Sequence, residues 1–116
     1  MRRIGVALLA LFCLTGMANA ANNGTTANLL YFAKRGDQNF RSLFTGAGRG
    51  LEAANLALER QGEKKLYCQP DIAITEDQYI RIVESYIEEK PKDGEIPAAM
   101  FGVTMLLSLV KAFPCN

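Results

Sequence analysis

The chain has no histidine at all, and among its 116 residues only three are cysteine and four are proline. Without histidine it has neither the base of a serine or cysteine hydrolase nor an imidazole ligand for a metal. An excess of positive charge is also missing, because 13 basic residues stand against 12 acidic ones. Nothing therefore favours a nucleic-acid binder or a polybasic membrane binder. We expect a protein that is not an enzyme and that uses no metal and no cofactor.

The first 20 residues have the pattern of a secretory signal peptide. Arg2 and Arg3 precede an apolar run over residues 4–14, and Ala18-Asn19-Ala20 has the small-x-small form of a cleavage site. Cleavage would leave a mature chain over residues 21–116, with 11 of the 13 basic residues against 12 acidic ones. We expect export to the bacterial periplasm because of this signal pattern. We also expect the mature chain to form one domain, because its length does not support a second hydrophobic core.

The cysteine count predicts one disulfide. Cys13 lies inside the signal, so export would leave only Cys68 and Cys115, in an oxidising compartment. A bond between them would close a loop of roughly 48 residues and stabilise the fold by about 4 kcal/mol in the chain-entropy model.

Four segments of the mature chain have helical patterns, and none has the alternation of a β-strand bounded by hairpin turns. We therefore expect an all-α fold, a small domain of four to five helices held by the disulfide. The first helix covers residues 27–33, with Thr25 or Thr26 as its cap and Gly36 at its end. The second covers residues 51–60.

Three alternating glycines, Gly46, Gly48 and Gly50, precede the second helix. Their spacing fits neither a dinucleotide-binding loop nor a P-loop, and no strand comes before them. We expect them to permit a bend or a close backbone contact.

The third helix has the clearest boundaries. Thr75 and Gln78 have the spacing of a capping box, and Pro91 disfavours helical geometry at Lys90, so the helix should end near there. Its apolar face is formed by Ile80, Val83 and Ile87.

The fourth helix begins near Pro97, ends near residue 112 and is apolar around most of its circumference. Its polar line consists of Thr104, Ser108 and Lys111. Such a helix is either central in a core or shared with a partner. It is short for a membrane span. We expect it to be buried, with part of its surface or that of the third helix forming a two-fold homodimer contact.

Short motifs in the second half of the chain point to a family. In chain order they are Cys68-x-Pro70, Thr75-x-x-Gln78 opening a helix that reaches Tyr86-Ile87, a Lys90-Pro91 break and the closing Phe113-Pro114-Cys115. In this combination, residues 66–115 resemble the Rap/Tai family of type VI secretion immunity proteins. The resemblance implies a small, disulfide-bonded, helical periplasmic protein, usually a homodimer, that binds and neutralises a cell-wall amidase toxin.

A second class of function stays open at this point. Periplasmic acid-stress chaperones are also short, exported and helical, with a single disulfide. The 12 carboxylates of this chain would become protonated at low pH, which would loosen its structure. Neither class requires catalytic chemistry.

The candidate partner-binding segment is the connection between the third and fourth helices. Pro91 and Pro97 restrict its ends, and a restrained loop loses less entropy on binding than a free one. Two of its acidic residues lie at the negative end of the third helix dipole, which breaks a local rule. The alternative is an ordinary solvated connection. The candidate residues are Glu88, Glu89, Lys90, Lys92, Asp93, Gly94 and Glu95.

Overall fold

The computed structural model describes residues 24–116, so the predicted signal segment and Cys13 lie outside the described residues. The described chain forms four α-helices: α1 (Thr26–Lys34), α2 (Gln38–Arg60), α3 (Glu76–Glu89) and α4 (Phe101–Ala112). Two short 3-10 segments, Pro91–Glu95 and Ala98–Met100, connect α3 to α4. The predicted all-α fold is confirmed, and the part of the chain that the structure describes contains no β-strand beyond one isolated bridge.

Helix α1 is joined at its start to the segment that precedes α4. The Thr25 side chain caps the helix by accepting a hydrogen bond from the Asn28 backbone N–H at 3.3 Å. The next residue, Thr26, is fully buried, and its backbone N–H donates to the Ile96 carbonyl at 2.8 Å. The first helix and the connection after α3 are therefore fixed to each other.

Helix α2 is longer than predicted and includes the alternating glycines. The Asp37 carboxylate caps it by accepting from the Asn39 backbone N–H at 3.0 Å, and the helix then continues for 23 residues. The close backbone contact that was one of the two expected roles of the glycines is found at the buried Gly48, which lies against Tyr79. The predicted helix start at residue 51 and a bend at the glycines were wrong. The physical reason is that apolar side chains pack against the core at helical spacing on both sides of the glycines: Phe40, Phe44, Ala47 and Leu51.

Helix α3 has the predicted boundaries and cap. Gln78 donates its backbone N–H to the Thr75 hydroxyl at 3.2 Å, while the Gln78 side chain accepts from the Thr75 backbone N–H at 2.8 Å. Ile80 and Val83 are buried, and Ile87 packs partly buried against them. The capping box and the apolar face are both confirmed.

Helix α4 is buried on one side only, and that side includes Thr104 and Ser108 of the polar line, whereas Lys111 is exposed. Thr104 and Ser108 are buried, and their hydroxyls have partners there. The Ser108 hydroxyl donates to the Thr104 carbonyl at 2.6 Å, and the Thr104 hydroxyl lies 3.4 Å from the Thr26 hydroxyl. Both hydroxyls therefore have hydrogen-bond partners inside the protein. The prediction that the fourth helix is buried is therefore only partly right. Four apolar residues of this helix and its N-cap are exposed to solvent: Met100, Val103, Leu107 and Val110.

The core lies between the four helices and the segment that follows α2. Phe44 of α2 and Phe101 of α4 meet with ring centroids 4.6 Å apart, and Tyr67 and Tyr79 are fully buried. The predicted disulfide between Cys68 and Cys115 is formed. Beside it, the Cys68 backbone N–H donates to the Phe113 carbonyl at 2.8 Å. The chain after α2 is thus attached to the end of α4.

Candidate functional site

The connection after α3 combines exposed charged side chains with a fixed backbone. Its 3-10 segment, Pro91–Glu95, is continuous with the end of α3. Within the segment, the Asp93 backbone N–H donates to the Lys90 carbonyl at 2.9 Å. Five of the seven predicted residues are exposed, namely Glu88, Glu89, Lys90, Lys92 and Glu95.

Asp93 is half-buried and faces the protein instead of solvent. Its carboxylate accepts a hydrogen bond from the Tyr86 hydroxyl at 2.5 Å. Burial and the hydrogen bond to Asp93 raise the pKa of Tyr86 to about 12, so the phenol keeps its proton at neutral pH and acts as the donor. The contact attaches the connection to the last turns of α3.

Gly94 was predicted to be one of the partner-binding residues, and the structure corrects this. It is buried between α1 and α3, where a β-carbon would lie 3.2 Å from Ile87 Cγ2 and 3.3 Å from the Ala27 β-carbon. The space is too narrow for a side chain without a small shift of these neighbours. Gly94 therefore allows the connection to pack against the helices and is not available to a partner.

Two of the exposed charges have partners within the fold, one on α4 and one on α3 itself. Glu89 forms an ion pair with Lys111 of α4, and the Lys90 ammonium lies 5.7 Å from the centre of the Tyr86 ring. Glu88, Lys92 and Glu95 form no ion pair with any residue in the range 24–116. These three charges are accordingly the ones most open to a partner.

A second concave feature, which the sequence did not predict, lies between α2 and residues 65–73. We call it the α2 cleft, and its volume is about 530 Å³. Leu56 projects from the helix side and Ile72 from the opposite side. The fully buried Tyr67 also lines it.

Asn55 determines where the far wall of the α2 cleft lies. Its side chain donates to the Tyr67 carbonyl at 2.7 Å and accepts from the Leu66 backbone N–H at 2.7 Å. Sequence reasoning missed this residue, although a polar side chain next to the apolar positions Leu51 and Leu58 of one helix was a usable signal. Its two hydrogen bonds replace strand or helix pairing for the irregular segment.

In a chain without histidine, the candidate metal ligands among the described residues are acidic and thiol side chains. Across residues 24–116, no three carboxylate or thiol side chains come together in a way that could hold a metal ion. Over the same residues, no helix has both the length and the apolar composition needed to cross a membrane.

Comparison of the chain with protein-family models, with curated proteins and with solved structures finds no match.

Proposed function

We propose that this protein is a periplasmic immunity protein that binds and neutralises a peptidoglycan amidase toxin delivered by type VI secretion. The observation that supports it best is the connection after α3, whose charged side chains project from a backbone held on both sides. Tyr86 anchors it to α3 through Asp93, and Thr26 anchors its end to α1 through Ile96. A segment fixed in this way can enter a cleft at a low cost in conformational entropy.

The charges of the connection suit a partner of mixed polarity. Lys92 lies between Glu88 and Glu95 in the sequence, and all three side chains are exposed. Charged groups at the rim of an interface act mainly on association rate and on choice of partner. The resemblance of residues 66–115 to the Rap/Tai family and the disulfide between Cys68 and Cys115 support the same role.

We also propose that the protein acts as a homodimer whose contact includes the exposed side of α4. Met100, Val103, Leu107 and Val110 recur there at helical spacing, and no charged residue occurs from position 96 to position 110. An uncharged apolar stripe can meet its own copy across a two-fold axis without like-charge repulsion. A stripe of this kind is typical of an interaction surface.

The experiment that tests the immunity role uses a panel of purified peptidoglycan amidase toxins from type VI systems. We expect the mature, oxidised protein to inhibit peptidoglycan hydrolysis by at least one of them and to form a stable complex with it. A variant with Lys90→Ala, Lys92→Ala and Glu95→Ala should lose at least tenfold in affinity. The matched control, Glu63→Ala with Lys64→Ala, removes exposed charges from the link between α2 and α3 and should bind normally.

Two outcomes would contradict the proposal. If the connection variant keeps both its affinity and its melting temperature, the binding surface lies elsewhere. If no toxin is bound while the protein suppresses aggregation of unfolded proteins at low pH, the acid-stress chaperone is the correct function.

A further inference from the structure

The α2 cleft has the size and the composition of a small-molecule site. Sites for small ligands commonly enclose about 300–1,000 Å³ and combine apolar walls with a few polar groups. Here the volume is about 530 Å³, and the apolar walls include Leu56 and Ile72, which are 49% and 75% exposed. Such side chains in solvent are unfavourable unless something covers them.

Two residues that line the α2 cleft each have a buried polar side-chain atom without a partner among residues 24–116. One atom is the hydroxyl of Tyr67, whose side chain is fully buried, and the other is the side-chain oxygen of Gln69. Gln69 donates a hydrogen bond from its amide nitrogen to the Ile72 carbonyl at 3.3 Å, so the atom left without a partner is its amide oxygen. That oxygen can only accept a hydrogen bond, so the cleft calls for a donor.

The charges around the α2 cleft favour a donor that is also a cation. Its two basic side chains are already paired, Arg49 with Glu52 at 2.9 Å and Lys65 with Glu59 at 3.2 Å. Asp71 also lines the cleft, and it forms no ion pair within the described chain. The net charge of the lining is therefore negative, with one carboxylate left over.

We propose that the α2 cleft binds a small organic cation, namely a primary ammonium or guanidinium group on a short aliphatic stem. The cation donates hydrogen bonds to the Gln69 oxygen and the Tyr67 hydroxyl and is balanced by Asp71. The stem lies between Leu56 and Ile72, where it removes apolar surface from water. This site is separate from the connection after α3, so it does not depend on the proposed immunity role.

An anionic ligand fits the same space less well. A carboxylate would meet the Gln69 oxygen, which offers it no donor, and would lie near the Asp71 carboxylate. Reaching Arg49 would also require breaking its ion pair with Glu52 and its hydrogen bond to the Ile74 carbonyl, at 3.1 Å. A carboxylate could accept a hydrogen bond from the Tyr67 hydroxyl, but it would leave the Gln69 oxygen without a donor.

The test is a titration of the mature, oxidised protein with four probes of similar length. Backbone amide chemical shifts are followed in ¹H–¹⁵N correlation NMR spectra. Agmatine and cadaverine carry the proposed cations, 1,5-pentanediol is neutral, and valerate is an anion. We expect saturable shifts for the two cations, confined to residues 52–59 and 65–73, and at least tenfold weaker effects for the diol and valerate. A fifth probe is lysine acetylated at its α-nitrogen and carrying a C-terminal methylamide, so that only its side-chain ammonium is charged. It shows whether a peptide-borne cation binds better than a free one.

Three variants decide which groups carry the binding. Asp71→Asn removes the unpaired carboxylate and Tyr67→Phe removes the buried hydroxyl, and each should weaken cadaverine at least fivefold. Tyr67→Phe should keep or raise the melting temperature, because it deletes a buried polar atom without a partner. The control is Glu63→Gln, which removes a charge between α2 and α3 at a residue that does not line the α2 cleft. This variant should bind cadaverine as tightly as the wild type does.

Several results would overturn the inference. One is the absence of saturable shifts with either cation, and another is equal binding of the diol, which would indicate a plain apolar cavity. Tighter binding of valerate would reverse the proposed charge preference. Unchanged cadaverine affinity in both Asp71→Asn and Tyr67→Phe would remove the assigned contacts.

Discussion

Gly48 of α2 lies directly against the ring of Tyr79 of α3. A β-carbon at position 48 would stand 2.3 Å from the Tyr79 Cε1 atom, which is well inside van der Waals contact. Both residues are buried, and the neighbouring Arg49 guanidinium lies 5.9 Å from the centre of the same ring. The absence of a side chain at this one position sets how closely α2 and α3 approach.

Gly48→Ala should therefore destabilise the protein, although alanine is the better helix former. The methyl group forces the rigid Tyr79 ring or the two helices apart, and overpacking of this kind costs about 1–3 kcal/mol. The helix propensity gain of about 1 kcal/mol offsets part of that cost. Urea denaturation followed by circular dichroism measures the net change.

The other two glycines of α2 supply the control. Nothing lies within 4 Å of a β-carbon built at Gly46 or Gly50, and both positions are exposed within the helix. Gly46→Ala and Gly50→Ala should each stabilise the protein by up to about 1 kcal/mol. Equal effects of alanine at 46, 48 and 50 would show that the contact between Gly48 and Tyr79 does not limit packing.

The parts of the fold that follow from local rules could be predicted from the sequence. The start of α3 depends on hydrogen bonds between Thr75 and Gln78, three residues apart, and its end depends on Pro91. The disulfide follows from having two cysteines outside the predicted signal segment. These features need no knowledge of which surfaces meet.

The parts that depend on packing between helices could not be predicted in this way. Gly46, Gly48 and Gly50 weaken a helix locally, yet α2 continues through them because its apolar residues on both sides share one core. Thr104 and Ser108 of α4 can face inward because Ser108 finds a backbone acceptor within its own helix. In the candidate site, five of the seven predicted residues are exposed, whereas the burial of Gly94 depends on α1, which follows from packing between helices.

Reduction of the disulfide should lower the stability of the mature protein markedly. Cys68 and Cys115 are 47 positions apart, so the bond restricts a long loop in the unfolded chain. The chain-entropy model gives a loss of about 4 kcal/mol, which for a domain of this size lowers the melting temperature by more than about 10 °C. Thermal scans with and without reductant measure this, and the double variant Cys68→Ser with Cys115→Ser should match the reduced protein. A difference of less than about 2 °C would contradict the stabilising role.

Stability should fall at alkaline pH because of three buried tyrosines. Burial raises the pKa of Tyr67 to about 12, burial and Asp93 raise that of Tyr86 to about 12, and burial raises the pKa of Tyr79 as well. Between about pH 10 and pH 12 the unfolded chain therefore loses protons that the folded chain keeps, so the free energy of unfolding decreases as pH rises. The contribution is fully present below pH 10.

Denaturation curves recorded from pH 8 to pH 12 test this titration. Each of Tyr67 and Tyr86 should account for a loss of at most about 3 kcal/mol. Tyr67→Phe and Tyr86→Phe should each flatten the decline above pH 10, whereas Tyr31→Phe, at an exposed position, should leave it unchanged. A profile that is level up to pH 12 would show that the buried phenols do not resist ionisation.

Asn55→Ala should release the segment that forms the far wall of the α2 cleft. The substitution leaves the Leu66 backbone N–H and the Tyr67 carbonyl without their partner, and lost buried hydrogen bonds of this kind cost about 2–3 kcal/mol. We expect a matching loss of unfolding free energy and faster amide hydrogen exchange at residues 65–67. Ala54→Ser on the same helix is the control, since Ala54 is exposed. Unchanged exchange in the Asn55→Ala variant would show that the segment holds its place by other contacts.

The exposed stripe of α4 gives the last prediction, which concerns the oligomeric state. Leu107 and Val103 are 39% and 43% exposed and lie one turn apart on a face without charge. In a two-fold contact centred on this face, Leu107→Lys would place two ammonium groups close together in a desolvated interface, where like charges are strongly unfavourable. Sedimentation velocity at about 50 µM, a concentration at which micromolar dimers are populated, should show a dimer for the wild type and a monomer for Leu107→Lys. The control is Leu66→Lys, because Leu66 is 43% exposed but lies on the link after α2. A monomeric wild type, or a Leu107→Lys variant that remains dimeric, would show that this face of α4 is not the contact between copies.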